Sequence, residues 1–496
     1  MSIIRAALKI SLLLSGISSI AFAGEASAVP QVPSTMILPF AVLLAAIAVV
    51  PFVHGAWWKN NYPAVAVGLG VVAVAWYLLA TGNEERILES GKEYVSFVVL
   101  IGSLFIVSGG ILLRISGNAG PFGNLILLAT GAVAANILGT TGASIILIRP
   151  YLHANKYRLR PFHIVFFIFV VSNMGGALTP IGDPPIFLGY LKGIPFFWVL
   201  SSAWYMWLLA IGIVLAVFFA VDYLSFRKFE TSPSRIPMSE VHEEAKVNGL
   251  HNVFFLAIIV LALFIGHPLF FREFVMILAA VGSYFSTKNE IHKANAFTFA
   301  PLKEVAILFV GIFATLVPVL DWIEMHAASS GISTPGQFFW GTGLLSSMLD
   351  NAPTYLNSLS ASVGLFVGQN ILSQVNRLVL SHGSELSALT AVEIRNTFSV
   401  LAKYHGELVA AGSVPQSVVQ VSYLMGNRDV YLKAISLSAV FFGAGTYIGN
   451  GPNFMVKAIA EEAGAVMPSF FGYVGRYAVP VLLPTFILVW FVFFRS

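Results

Sequence analysis

The chain has 496 residues, of which 57% are hydrophobic and only 10% charged, and its mean hydropathy is +0.84. Soluble domains carry about 25% charged residues, so the polar side chains here are too few to cover a large water-facing surface, and lipid must cover much of it. The net charge of +4 sits in short loops between apolar runs, where it sets topology and forms no nucleic-acid patch. Cysteine is absent, which excludes disulfides, thiolate metal sites and cysteine nucleophiles.

In chain order, Arg5 and Lys9 precede a short apolar stretch that ends in Ala21-Phe22-Ala23. A positive segment, a short apolar core and an A-x-A site predict a signal peptide over residues 1–28. A bilayer span needs roughly 20 apolar residues. On that scale uninterrupted spans are predicted near 36–54, 62–81, 94–113, 199–222, 252–266, 270–285, 305–320 and 473–494. Four further apolar regions, 122–152, 163–192, 334–363 and 434–461, are interrupted by Gly, Pro, Thr, Asn or Asp.

Basic loops mark the cytoplasmic side. With an outside amino terminus, Lys59 and Arg114 fall inside and the acidic stretch Glu84-Glu85 to Glu93 outside. Arg149, Lys156, Arg158 and Arg160 must also be inside, which requires 122–152 to enter and leave by the same face, as a re-entrant hairpin. Continuing the count, 334–363 becomes a hairpin open to the outside, followed by an extracytoplasmic insertion at 365–429 that reads as a pair of interfacial or capping helices. The expected fold is therefore an all-α polytopic membrane protein of the inner membrane with two inverted repeats. Residues 29–93 supply amino-terminal transmembrane helices, 94–222 the first repeat, 223–304 a connecting loop and two helices, and 305–494 the second repeat.

The repeat is visible in the residues. Gly176-Ala177-Leu178-Thr179-Pro180-Ile181-Gly182-Asp183-Pro184-Pro185-Ile186-Phe187 aligns without a gap to Gly443-Ala444-Gly445-Thr446-Tyr447-Ile448-Gly449-Asn450-Gly451-Pro452-Asn453-Phe454, at an offset of 267. Each broken segment follows a hairpin, with Gly139-Thr140-Thr141-Gly142 in the first and Asp350-Asn351-Ala352-Pro353-Thr354 in the second. Paired interrupted segments in two halves of a membrane protein point to a secondary transporter's binding site. Asp183 before two prolines, and Asn450 before Gly451-Pro452, read as N-caps of half-helices, with Asn351 and Thr141 in the same role for the second hairpin arms. Four half-helix amino termini, each worth roughly +0.5 of a charge, would attract carboxylate. Freed carbonyls and the oxygens of Asp183, Asp350, Asn351 and Asn450 suit Na⁺. An ionised Asp at mid-membrane costs about 2.5–3.5 kcal/mol, and such residues usually mark an ion path. The expected site thus comprises Asp183, Thr179, Gly182, Asn173, Asp350, Asn351, Thr354, Asn450, Thr446, Gly449, Asn453, Thr140 and Thr141. No Walker loop, nucleophile elbow or zinc-protease helix occurs, so neither ATP-driven transport nor enzyme chemistry is expected, and no cofactor beyond the coupling ions.

At Ser172-Asn173-Met174-Gly175-Gly176…Thr179-Pro180-Ile181-Gly182-Asp183 and Leu349-Asp350-Asn351-Ala352-Pro353 the chain resembles the ion transporter superfamily, in particular its NhaD-type and ArsB-like members. The resemblance covers the two repeats, and the nearest group is bacterial, labelled both as citrate transporters and as sodium:proton antiporters. It implies a homodimer with scaffold helices between elevator-like transport domains, coupled to Na⁺ or H⁺. The first hairpin lacks the Ser-Asn-Thr motif of the dicarboxylate branch, and Asn450 stands where an Asp is expected. Two mechanisms follow. In antiport, Asp183 and Asp350 exchange H⁺ for Na⁺; in symport, bound Na⁺ neutralises the site for citrate or a smaller carboxylate. Two mid-membrane Asp residues, with no evident Arg or Lys in the broken segments, lean toward antiport.

Overall fold

The computed structural model describes residues 31–114, 120–230, 246–265, 268–295, 297–329, 331–387 and 390–495. The expected signal peptide lies outside these residues. Within them the chain is an all-α polytopic membrane protein, with eight helices long and apolar enough to cross a bilayer and one two-stranded ribbon. In order, the helices are α1 (Leu38–Val53), α2 (Gly55–Thr81), α3 (Glu84–Gly109), α4 (Pro121–Ala154), α5 (Pro161–Val170), α6 (Pro184–Leu191), α7 (Trp198–Glu230), α8 (Asn252–Ala262), α9 (Phe271–Ser286), α10 (Asn289–Ala294) and α11 (Ala300–His326). There follow α12 (Pro335–Met348), α13 (Asn351–Phe366), α14 (Gln369–Leu380), α15 (Val392–Tyr404), α16 (Gly406–Ala410), α17 (Gln416–Asn427), α18 (Asp429–Phe441), α19 (Gly451–Glu462) and α20 (Phe470–Phe493).

Small residues set the closest helix crossings. A Cβ on Gly311 of α11 would stand 2.6 Å from the Ala66 carbonyl of α2, so only glycine lets these helices approach so closely. Gly70 faces the same crossing, whereas Gly68 meets nothing within 4 Å. About 15 Å further along the same pair of helices, buried Asp321 of α11 accepts from Tyr77 Oη at 2.6 Å and from Arg86 Nη2 at 2.5 Å.

Helix α4 is long enough to cross the membrane yet does not. At Gly139 the backbone turns to φ 77°, ψ 154°, a conformation that favours glycine, and the second arm folds back on the first. Asn124 and Asn155, 31 residues apart, exchange side-chain hydrogen bonds of 2.8 and 2.9 Å. In an unbroken helix they would lie roughly 46 Å apart. Both ends of this hairpin are fastened to Asp222 near the end of α7. Asn124 donates to its carboxylate at 2.9 Å, His163 Nε2 lies 3.1 Å away, and Arg158 makes a short ion pair.

The second hairpin, α12 and α13, breaks at Leu349–Asp350 in extended backbone, so no glycine is needed. Thr342 donates to Ser358 at 2.7 Å across its arms. Its open end is held by Tyr431, whose ring packs on Phe338 and Phe366 and whose hydroxyl donates to the Ser333 carbonyl at 2.7 Å. The two open ends lie on opposite faces. Asp222 marks the first; the second lies toward the start of α7, where Lys192 shares a small crevice with Ser360 and Val363 of α13. Roughly 36 Å of helix separates Trp198 from Asp222. The two repeats are therefore inverted.

Between the second hairpin and α18 lie four helices, α14 to α17, where the sequence suggested two. The added breaks fall at Ser381-His382-Gly383, where His382 and Gly383 have positive φ, and at Gly412, also with positive φ. Helix α17 rests against the end of the first broken segment, where Val418 faces Gly193, and from the turn before α16 His405 Nε2 lies 2.9 Å from the Gly193 carbonyl.

Removing one partner of a buried ion pair strands the other charge and costs about 3–5 kcal/mol. Asp222→Ala removes the acceptor shared by Arg158, His163 and Asn124, so we expect a marked fall in the melting temperature of the purified protein in detergent. Wild-type stability would contradict the role given to this clasp.

Candidate ion and substrate site

Two prolines decide what Asp183 does. It opens α6 as an N-cap by backbone geometry, but Pro184 and Pro185 carry no N–H for its carboxylate to accept, and no cap bond forms. The carboxylate, 1% exposed, turns instead to side chains of three other segments. Thr140, at the tip of the first hairpin, donates to Oδ1 at 2.8 Å. Asn351, at the tip of the second, donates to Oδ2 at 2.8 Å. Asn450, at the second helix break, donates to Oδ1 at 3.0 Å. Both hairpin tips and both broken helices thus meet at one carboxylate, and α6, α13, α19 and the return arm of α4 all begin there.

The repeats build the cage in the same way. Thr179 donates to the Asn136 carbonyl at 2.5 Å and Thr446 to the Ser347 carbonyl at 2.6 Å, while each hydroxyl accepts from the N–H of Gly182 or Gly449 at 3.1 Å. The hairpins therefore correspond at an offset of 211, against 267 for the broken helices; the extra 56 residues fall in the insertion. Gly176 crosses Gly182, and Gly443 crosses Gly449, at distances that leave no room for a Cβ. Carbonyls freed by the first break are satisfied inside the protein: Gly175 accepts from Asn136 at 2.6 Å and Met174 from Trp207 at 2.8 Å. That is what membrane depth demands of non-helical backbone.

Two expectations at the tips need correction. Asp350, and not Asn351, caps α13, accepting from Ala352 N–H at 3.1 Å, which leaves the Asn351 amide free to reach Asp183. In the first hairpin the break falls at Gly139, two residues earlier than a Thr141 cap requires. It is Thr140 that enters the cage. Asp350 is half-buried and bonds none of the cage residues, and Thr354 donates to its carbonyl at 3.1 Å. Asn173 and Asn453 join the breaks directly, Nδ2 to Oδ1 at 2.5 Å, and Asn173 Oδ1 is buried without a hydrogen-bond partner. Sequence reasoning passed over Asn136 and Ser346, the latter donating to Asn351 Oδ1 at 2.6 Å. Their signal was a polar residue close to each hairpin break in an otherwise apolar arm.

Three lysines border or enter the broken segments, and none reaches the cage. Lys192 pairs with Glu93 at 2.6 Å, Lys457 with Glu461 at 2.7 Å and Lys433 with Asp429 at 2.5 Å. A cavity of about 710 Å³ opens on the basic face, between the return arm of α4 and the end of α19, lined by Arg149, His153, Lys156 and Arg160 with Ile459 and Gly464 among others. Through the two offsets, Arg149, Leu152 and Ile459 correspond to Ser360, Val363 and Lys192 on the opposite face. There the equivalent crevice holds only about 40 Å³ and is packed by Ser417, Gln420 and Val421 of α17.

Inverted repeats, two hairpins and a caged carboxylate define a polytopic membrane protein organised around one central polar site. The family described as "Putative citrate transport" matches residues 29–494. The chain belongs to that family. No curated protein matches it.

Gly182→Ala would set a Cβ 2.1 Å from the Gly176 carbonyl oxygen, whereas Gly451 has nothing within 4 Å. We expect the first substitution to lower the melting temperature sharply and the second to change it little. Equal behaviour of the two would contradict the tight crossing.

Proposed function

We propose that this chain is a cation-coupled secondary transporter that moves citrate or a similar small carboxylate with Na⁺, and that Asp183 is the coupling carboxylate. The observation that carries the reading is the convergence of Thr140, Asn351 and Asn450 on Asp183. Any rearrangement of a hairpin against the broken helices must remake those bonds, so ion occupancy and conformation are linked at one group. Asn173 Oδ1, buried without a donor, is an acceptor of the kind a cation uses. Four helix amino termini of roughly +0.5 each exceed the single charge of Asp183, which supports binding of an added anion once Na⁺ is held. The family description points to the same cargo. The wide crevice on one face and the closed one on the other support alternating access, with the basic face open.

A second reading, exchange of Na⁺ for H⁺ on Asp183, is favoured by one observation: the lysines of the broken segments are all paired with carboxylates, so that among the described residues no lysine of these segments stands at the cage for a carboxylate substrate.

Liposomes containing the protein, an internal pH dye and labelled citrate separate the two. We expect citrate uptake that requires Na⁺ and that Asp183→Asn abolishes while the protein stays inserted. Proton movement driven by Na⁺ alone, without citrate, would move the assignment to antiport. Unchanged flux in Asp183→Asn would refute the role of Asp183 in either.

A further inference from the structure

The basic cavity asks for an explanation of its own. Arg149 and His153 stand one turn apart on one face of the return arm of α4, and Lys156 and Arg160 close the rim from the loop that follows it. The facing wall is Ile459 and the small residues Ala463-Gly464-Ala465, where Gly464 turns the chain at φ 83°. Glu461 and Glu462 sit on the same helix end but do not line the cavity; Glu461 is turned to Lys457. Among the described residues, Arg149, Lys156 and Arg160 make no ion pair with a carboxylate. Topology alone would be satisfied by the same charges anywhere in the loop, and does not require them to share a cavity.

The position is as informative as the charge. Arg149 lies nine residues after Thr140, and Ile459 nine residues after Asn450. Both walls are helices that start at the Asp183 cage and end at this cavity, roughly 13 Å away along each. The equivalent positions on the other face are Ser360, Val363 and Lys192, the last already neutralised by Glu93. The asymmetry is therefore one of charge as well as of opening.

We infer that this vestibule is a second binding site, which holds a small multivalent carboxylate such as citrate between the ends of the two helices that begin at the Asp183 cage. The inference rests on the cargo proposed above. Three fixed positive charges and a histidine face a cavity of ligand size, matching a molecule with three carboxylates. The binding is electrostatic and half-exposed, so it weakens as salt rises. The same anionic oxygens could come from a phospholipid headgroup; the position between the ends of two helices that begin at the Asp183 cage favours the soluble source.

The test is equilibrium binding of citrate to the purified full-length protein in detergent, which requires no flux. Arg149→Gln, Lys156→Gln and Arg160→Gln are combined, in the native chain and in Asp183→Asn, with the exposed pair Lys156→Gln and Arg160→Gln as a variant that leaves packing intact. We expect citrate affinity to fall about tenfold or more in the triple variant and several-fold in the pair, in both backgrounds, with a flatter salt dependence. Unchanged affinity and salt dependence would overturn the site. So would unchanged citrate binding together with lost retention of phosphatidylglycerol or cardiolipin, which would assign the cavity to lipid headgroups. Failure here, with Asp183→Asn still abolishing uptake in liposomes, removes only the vestibule. Normal uptake by Asp183→Asn, with citrate binding reduced by the charge variants, removes only the coupling role of Asp183.

Discussion

A single carboxylate at membrane depth constrains the rest of this molecule. Asp183 cannot stay ionised in an apolar surround without donors, and its own helix gives its carboxylate none: Pro184 and Pro185 carry no N–H, and that of Ile186 is taken by the Asp183 main-chain carbonyl at 3.1 Å. The donors come from three other segments. Each hydrogen bond to a charged group is worth about 1.5–3 kcal/mol, enough together to offset the insertion cost of one Asp. The chain must therefore bring two hairpin tips and a second helix break to one point, and most of the architecture serves that end.

Pseudo-symmetry supplies the meeting point, and departures from it supply polarity. The threonine bonds and glycine crossings are duplicated, but only one repeat carries the acid; its counterpart is an amide that donates to it. The second repeat also carries the extra helices α14 to α17, and one of these packs the outer crevice. An ordinary pair of equivalent crevices thus becomes one wide basic opening and one narrow crevice beside the Lys192–Glu93 ion pair. Two repeats of one design can in this way present different chemistry to the two sides of a membrane.

Much of this was legible in the sequence, for physical reasons. Lipid forbids polar backbone, so interruptions by Gly, Pro, Asn and Asp in apolar runs announce themselves, and the 267-residue offset pairs them. Loop charge then fixes which way each hairpin opens. What could not be read was where a side chain points once the backbone breaks. Asn351 and Asp350 are adjacent and both can cap; only the turn geometry decides that Asp350 caps while Asn351 crosses to Asp183. The clasp of Arg158, His163, Asn124 and Asn155 on Asp222 was hidden for another reason. Its members are spread over four segments, and each looks like an ordinary loop or helix-end residue until the hairpin closes.

The absence of native cysteine makes the convergence directly measurable. Asn173 and Asn453 belong to different repeats, 280 residues apart, yet their side chains meet at 2.5 Å. Cysteines placed at both positions, alone in the chain, should be joined by a short thiol-reactive cross-linker in membranes, and mass spectrometry should recover the two peptides as one species. If the pair is labelled only singly, while a pair at Asn124 and Asn155 cross-links normally, the two broken helices do not share a site and the account fails.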